Sequence, residues 1–305
     1  MSRLGSSSQP SLAERAIADL CLTTTDTADL RRTAREVTLR DALWPVVRFG
    51  LCTALLSMLL GLLITPFIHL SWLKVVRRCV SVSALASLWI CVRRFEQRPF
   101  ASYGLIEFQK GARYLYAGIL LGLAGLSLML AIGLWSGACD IDVHPDAVKF
   151  WWTIVGFVPA AVLVGVIEEL VFRGFILQHL TDLSRWFGVV ASSALYALVH
   201  LKQTSLTMES WMELAGLFLL GAVLASSYLQ TGQLWLGIGL HAALAYGARV
   251  NKLVIAFSDT SMSWLVGTSR LVNGLSAWLA LTLIGIVIWW WTAGSERGEA
   301  RHVDR

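Results

Sequence analysis

The stretch Val166-Ile167-Glu168-Glu169-Leu170-Val171-Phe172-Arg173-Gly174 places three ionisable residues inside an apolar run at 150–179 that is otherwise suited to lipid. Each such charge costs about 2.5–3.5 kcal/mol at mid-membrane, so the three together cost on the order of 8–10 kcal/mol before any pairing. Glu169 and Arg173 stand four apart in the favourable order, acid before base, and can form an ion pair within one helix. Glu168 then points elsewhere. A helix that carries this load needs neighbours to shield and satisfy it, so the run predicts one member of a membrane helix bundle.

The rest of the chain supports that reading. Of 305 residues, 56% are hydrophobic and only 15% charged, an odd balance for a soluble chain. Apolar stretches are long enough to cross roughly 30 Å of hydrocarbon as helices. They predict an all-α, polytopic transmembrane bundle of about eight spans at 44–68, 74–92, 113–135, 150–179, 187–203, 212–230, 233–256 and 273–293. The first forty or so residues are polar and lack an apolar h-region, so no cleavable signal peptide is expected. Within them, Leu30, Ala34, Val37 and Asp41 recur at helical spacing among arginines, which fits a surface amphipathic helix or a solvated leader.

Charge placement gives topology. Arg93, Arg94, Arg98, Lys110 and Arg113 crowd the connection after the second span, and Arg297, Arg301 and Arg305 follow the last. The positive-inside rule puts both in the cytoplasm, leaves Asp140, Asp142 and Asp146 outside, and makes both termini cytoplasmic. Trp151, Trp152 and Trp289 to Trp291 stand at span ends, where indoles anchor in the headgroup layer. The net charge of +5 is clustered beside helix ends, so no nucleic-acid partner is expected. Membrane lipid is the expected partner. Cys21, Cys52, Cys79, Cys91 and Cys139 form no CxxC pair, and no disulfide framework is expected.

Two later spans carry further polar residues. The fifth contains Tyr196-Ala197-Leu198-Val199-His200, with Tyr196 and His200 one turn apart on a face, and the seventh contains His241. At about 1.5 Å of rise per residue, Glu168, His200 and His241 lie roughly 16, 20 and 12 Å from the cytoplasmic edge. A carboxylate and two imidazoles could therefore meet in one layer.

These residues resemble the CPBP intramembrane proteases, also described as type II CAAX-processing endopeptidases or the ABI family. Glu168-Glu169-x-x-x-Arg173 looks like that family's EExxxR, and Tyr196-x-x-x-His200 is similar to its FxxxH with Tyr for Phe. The segment from Phe218-Leu219-Leu220-Gly221 through Thr231-Gly232-Gln233-Leu234-Trp235 to His241 is similar to its third block. The resemblance covers roughly 150–250. The expected organisation is a polar leader at 1–43, N-terminal helices at 44–149, a catalytic helical core at 150–256, and a last span with a basic tail at 257–305.

The resemblance implies an endopeptidase in which Glu168 and His200 activate water and His241 helps hold the oxyanion, with Glu169, Arg173 and Tyr196 in support. Many members have Asn four residues after this histidine. Ala245 stands there and has no hydrogen bond to donate, with His241 or Tyr246 as partial substitutes. Glu168, His200 and His241 also form a zinc-type ligand set with an open fourth position; between metal-free and zinc-bound water, the metal-free form is slightly preferred. A prenylated CAAX tail is the implied substrate class. The rival reading is a non-enzymatic scaffold or immunity-like binder of the same fold, supported by Ala245. An ion-coupled transporter fits less well, because the polar groups share one layer instead of spanning the bilayer as a relay.

Overall fold

The computed structural model describes residues 38–69, 71–200, 207–257, 260–268 and 271–303. The proposed amphipathic segment around residues 30–41 and Cys21 lie largely or wholly outside them. Among the described residues there are eight long helices: α1 Leu39–Ile64, α2 Trp72–Ile90, α3 Phe108–Trp135, α4 Ala147–Glu169, α5 Arg185–His200, α6 Met208–Thr231, α7 Trp235–Val254 and α8 Leu275–Val303. The only strands among those residues are β1 Cys139–Ile141 and β2 Ile255–Phe257, which pair antiparallel with Asp140 opposite Ala256.

Each of the eight sequence-predicted spans falls on one of these helices, and the bundle is all-α as expected. Five helical stretches are long and apolar enough to cross a membrane: Leu39–Phe67, Phe100–Trp135, Ala147–Thr181, Met208–Thr231 and Leu275–Ala293. The others fall short for evident reasons. Helix α5 has 16 residues, about 24 Å at helical rise. The α2 segment contains Lys74, Arg77 and Arg78, and α7 contains His241, Arg249 and Lys252. Outward faces of the long helices are greasy, with Leu55, Leu120 and Val155 each more than 60% exposed. That is the reverse of a soluble bundle and the arrangement that lipid favours.

Helix α7 occupies the centre: every residue from Leu236 to Leu244 is buried. It packs on α3 and α4, and glycine sets the α3 distance. A Cβ on Gly118 would stand 2.2 Å from the Leu236 carbonyl oxygen, and one on Gly239 would stand 2.1 Å from that of Leu115. The two backbones therefore touch, as small residues permit in membrane helices. This central burial shields His241 from lipid. The third connection contains β1, and the ladder to the end of α7 continues through Asp142 N–H to Val254 O and His144 N–H to Leu253 O, both 2.8 Å.

Helix α4 begins where the Asp146 carboxylate caps the N–H of Lys149 at 3.0 Å. Its far end departs from the simple helix read from sequence. After Glu169 the chain runs as a π-helix over Leu170–Leu177 and regains α geometry at Gln178–Thr181. Such segments are rare and frequently mark functional sites; a second, shorter one runs over Cys91–Glu96 after α2. All eight residues of the π segment are buried, Arg173 included. Gly239→Val should lower the stability of the detergent-solubilised protein by about 3 kcal/mol, the upper end for an overpacked core. A denaturant midpoint unchanged by the substitution would show that α3 and α7 do not meet backbone to backbone.

Candidate active site

The π segment and the three helices around it bring the sequence-predicted residues together. Glu168 and Glu169 end α4, Arg173 lies within the π segment, Tyr196 and His200 are on the last turns of α5, and His241 is on α7. The His200 Nε2 atom is 3.1 Å from Glu168 Oε2, and His241 Nε2 is 3.5 Å from the same oxygen. The expected meeting of one acid and two imidazoles is present in the geometry.

Glu169 and Arg173 pair as their spacing predicts, with Nη1 to Oε1 at 2.9 Å. The other guanidinium nitrogen donates to the Gly221 carbonyl at 3.3 Å, tying α4 to α6. Sequence reasoning missed how far this pair reaches. His241 Nδ1 lies 2.9 Å from the same Glu169 oxygen, so His241 bridges both glutamates. Glu168 therefore does not stand apart from the ion pair. Gly237, one turn before His241, makes room for this, since a Cβ there would sit 2.7 Å from Glu169 Oε2. Tyr196 presents its ring to the Arg173 guanidinium at 4.7 Å and to His200 at 4.3 Å between centroids.

Hydrogen-bond chemistry assigns protons here. His200 Nδ1 is 2.8 Å from the Tyr196 carbonyl, which only accepts, so Nδ1 carries a hydrogen and Nε2 faces Glu168. Either Nε2 or the carboxyl holds the proton between them. Likewise His241 donates from Nδ1 to Glu169, which also accepts from Arg173. Two carboxylates against one guanidinium leave a charge of −1, and one shared proton neutralises the cluster, as low-dielectric burial favours. The side chains of Glu168 and His200 are about one quarter exposed, whereas Glu169 and Arg173 are sealed. The accessible end of the network is thus the Glu168–His200 dyad.

Ala245 lies one further turn along α7 and brings no polar atom. Tyr246 offers no substitute, because its hydroxyl donates to the Ile154 carbonyl at 3.0 Å, some fourteen residues before Glu168 on α4. For the zinc alternative the donors would be Glu168, His200 and His241. Among the described residues no group of three or more His, Cys, Asp or Glu side chains is arranged to hold a metal ion. Both ring nitrogens of His241 already face carboxylate oxygens, at 3.5 Å for Glu168 and 2.9 Å for Glu169. The four described cysteines are free.

A second buried polar cluster was not foreseen. Glu96, the last residue of a short π-helix, Cys91–Glu96, that continues α2, receives the Tyr103 hydroxyl and has His179 Nε2 at 3.0 Å and Arg48 at 3.9 Å. Burial pushes the Glu96 carboxyl upward, but the hydrogen bonds from His179 and Tyr103 outweigh it and hold its pKa below the ordinary carboxylate range. The unfolded value is higher, so this carboxylate stabilises the fold above about pH 4.5, and that contribution is lost as pH falls through the folded value. Glu96→Gln should therefore flatten the acid limb of thermal stability in detergent between about pH 6 and pH 3. A wild-type acid limb in that variant would mean that other carboxylates cause it.

Comparison with known proteins bears on the same segment. Residues 150–247, which run from α4 to α7, match the family model described as type II CAAX prenyl endopeptidase Rce1-like. The resemblance read from the motifs thus holds for the helices that build the cluster. The chain is also similar to the uncharacterized protein YyaK of Bacillus subtilis (strain 168), 27% identical over 172 residues, which cover 52% of this chain and 54% of that protein. The chain spans about half the length of this curated relative.

Proposed function

We propose that this membrane protein, whose α4–α7 segment is Rce1-like, is an intramembrane endopeptidase that hydrolyses a peptide bond of a membrane-associated protein. The observation that carries the reading is the approach of both imidazoles to one carboxylate oxygen of Glu168, at 3.1 and 3.5 Å. A prenylated CAAX tail is the substrate class that the family match suggests. Both termini are assigned to the cytoplasm by the arginine-rich connections, and at helical rise the dyad then lies near the middle of the bilayer.

The chemistry follows from the proton assignments. A water beside Glu168 gives one proton to the Glu168–His200 pair as its oxygen attacks the scissile carbonyl carbon. The carbonyl electrons move to oxygen, and His241, after taking one proton from solvent onto Nε2 before attack and keeping it through the cycle, is placed to donate to that oxyanion. Collapse of the tetrahedral intermediate expels the amine, which takes the proton back from the dyad. Glu169 holds His241 Nδ1–H and Arg173 balances Glu169, so neither needs to titrate during the cycle. Tyr196 fixes His200 from below through its carbonyl.

Ala245 favours a second reading, a binder of the same fold in which the cluster only fixes helix packing. The two readings separate on a farnesylated CAAX-type peptide incubated with the purified protein in lipid vesicles. Glu168→Gln and His200→Ala should each reduce cleavage by at least about 10³-fold while the protein remains folded and monodisperse in detergent. Retained hydrolysis in either variant would defeat the assignment of roles. Absence of cleavage by the parent chain across prenylated and unprenylated membrane peptides would favour the binder.

A further inference from the structure

The π segment between Glu169 and Gln178 needs an external reason to exist, because an isolated helix gains nothing from that geometry. One end is held by Arg173 through Glu169 and the Gly221 carbonyl. The other end is held by a separate set of groups. The Phe175 ring is fully buried and is enclosed by Phe49 at 5.5 Å, Tyr103 at 6.0 Å and His179 at 4.6 Å between ring centroids. His179 Nδ1 lies 2.8 Å from the Phe175 carbonyl and its Nε2 lies 3.0 Å from Glu96. The chain before α3 also presses on this segment, since a Cβ on Gly174 would stand 2.9 Å from the Tyr103 carbonyl.

This arrangement repeats the one at His200. In each case a carbonyl four residues back takes Nδ1–H, and Nε2 is turned to a carboxylate, at 3.0 Å for Glu96 and 3.1 Å for Glu168. The difference is access. The Glu96 and His179 side chains are only 10% and 12% exposed, and Glu96 is further occupied by Tyr103 and Arg48. The groups facing Glu96 come from every neighbouring element: Arg48 from α1, Cys91 from the start of the π-helix after α2, Arg98 and Tyr103 from the connection, and His179 from the helical turn Gln178–Thr181. A dyad so enclosed has no room for a substrate, but it is well placed to hold a helix in register.

We infer that Glu96 and His179 are positioning residues for the Glu168–His200–His241 cluster, acting on it through the Leu170–Leu177 π segment. The inference rests on the proposed peptidase reading for its kinetic consequence, though not for its structural one. A π-helix closes i→i+5 bonds and an α-helix i→i+4 bonds, so relaxation of one into the other turns one end of α4 against the other. Arg173 then leaves the Gly221 carbonyl, Glu169 loses its balancing charge, and the Glu169–His241 contact slackens. Glu96 keeps this from happening by fastening Tyr103 and His179 around Phe175.

The test compares the full-length wild-type protein with Glu96→Gln in detergent. Histidine carbethoxylation by diethyl pyrocarbonate is read at His200 and His241 by peptide mass spectrometry. Turnover of a farnesylated CAAX-type peptide gives kcat and KM. In wild type, His200 should label and His241 should resist. In Glu96→Gln, His241 labelling should rise several-fold, and kcat should fall by about 10-fold to 100-fold with KM little changed, the pattern of a mispositioned catalytic group. Tyr103→Phe removes one hydrogen bond from Glu96 and should move both readouts in the same sense by a smaller factor, which keeps the test available if Glu96→Gln fails to fold. Wild-type labelling of His241 in the folded variants, even with a lowered melting temperature, would overturn the inference. A wild-type chain that cleaves no farnesylated peptide would count against the peptidase reading alone, because the labelling comparison does not depend on turnover.

Discussion

The pairing of Glu169 with Arg173, sealed inside the bundle at 2.9 Å, is the constraint on which the rest of the structure depends. Two opposite charges in so dry a place are tolerated only when their remaining hydrogen-bonding capacity is met. The Gly221 carbonyl and His241 Nδ1 meet it, which draws α6 and α7 toward α4. Because His241 uses its other nitrogen toward Glu168, satisfying a buried ion pair also fixes where the accessible carboxylate lies. Packing demands and chemistry are thus served by one network.

The surrounding architecture supplies the close tolerances this network needs. Glycines at 118 and 239 let α3 and α7 approach until backbone meets backbone, and Gly237 leaves space for the Glu169 carboxylate. A side chain at any of these positions would occupy the volume of a neighbour. The β1–β2 ribbon pins the C-terminal end of α7, while Trp235 Nε1–H donates to the Ile106 carbonyl at 3.0 Å near the other end. Helix α7 is therefore held at both ends, and His241 is held between them.

Much of this was legible in the chain itself. The apolar runs gave every long helix, since length and hydropathy are local properties that insertion in lipid reads directly. The i,i+4 spacing gave the Glu169–Arg173 pair, and equal depth along antiparallel helices brought Glu168, His200 and His241 to one layer. What escaped detection depends on groups far apart in sequence. The π segment leaves no mark in the pattern of 170–177, and the rings of Phe49 and Tyr103 that pack on its Phe175 come from distant parts of the sequence. The bridge from His241 to Glu169 needs the rotation of two helices about their axes, which periodicity alone does not fix. Glu96 and His179 belong to no motif, and only the fold brings them together across 83 positions of sequence. Tyr246 shows the opposite error: nearness to His241 in sequence suggested a part in the site, but its hydroxyl turns to Ile154.

A double-mutant cycle on thermodynamic stability in detergent, built from Glu169→Gln and Arg173→Met, tests the central dependence most directly. Each single substitution leaves one buried charge without its counterpart and should cost about 3–5 kcal/mol, whereas the double substitution removes both charges and should cost far less than the sum. A coupling of about 3 kcal/mol or more is the predicted result. Strictly additive losses would contradict the account, since they would mean that the two charges do not balance each other inside the bundle and that His241 is held by something else.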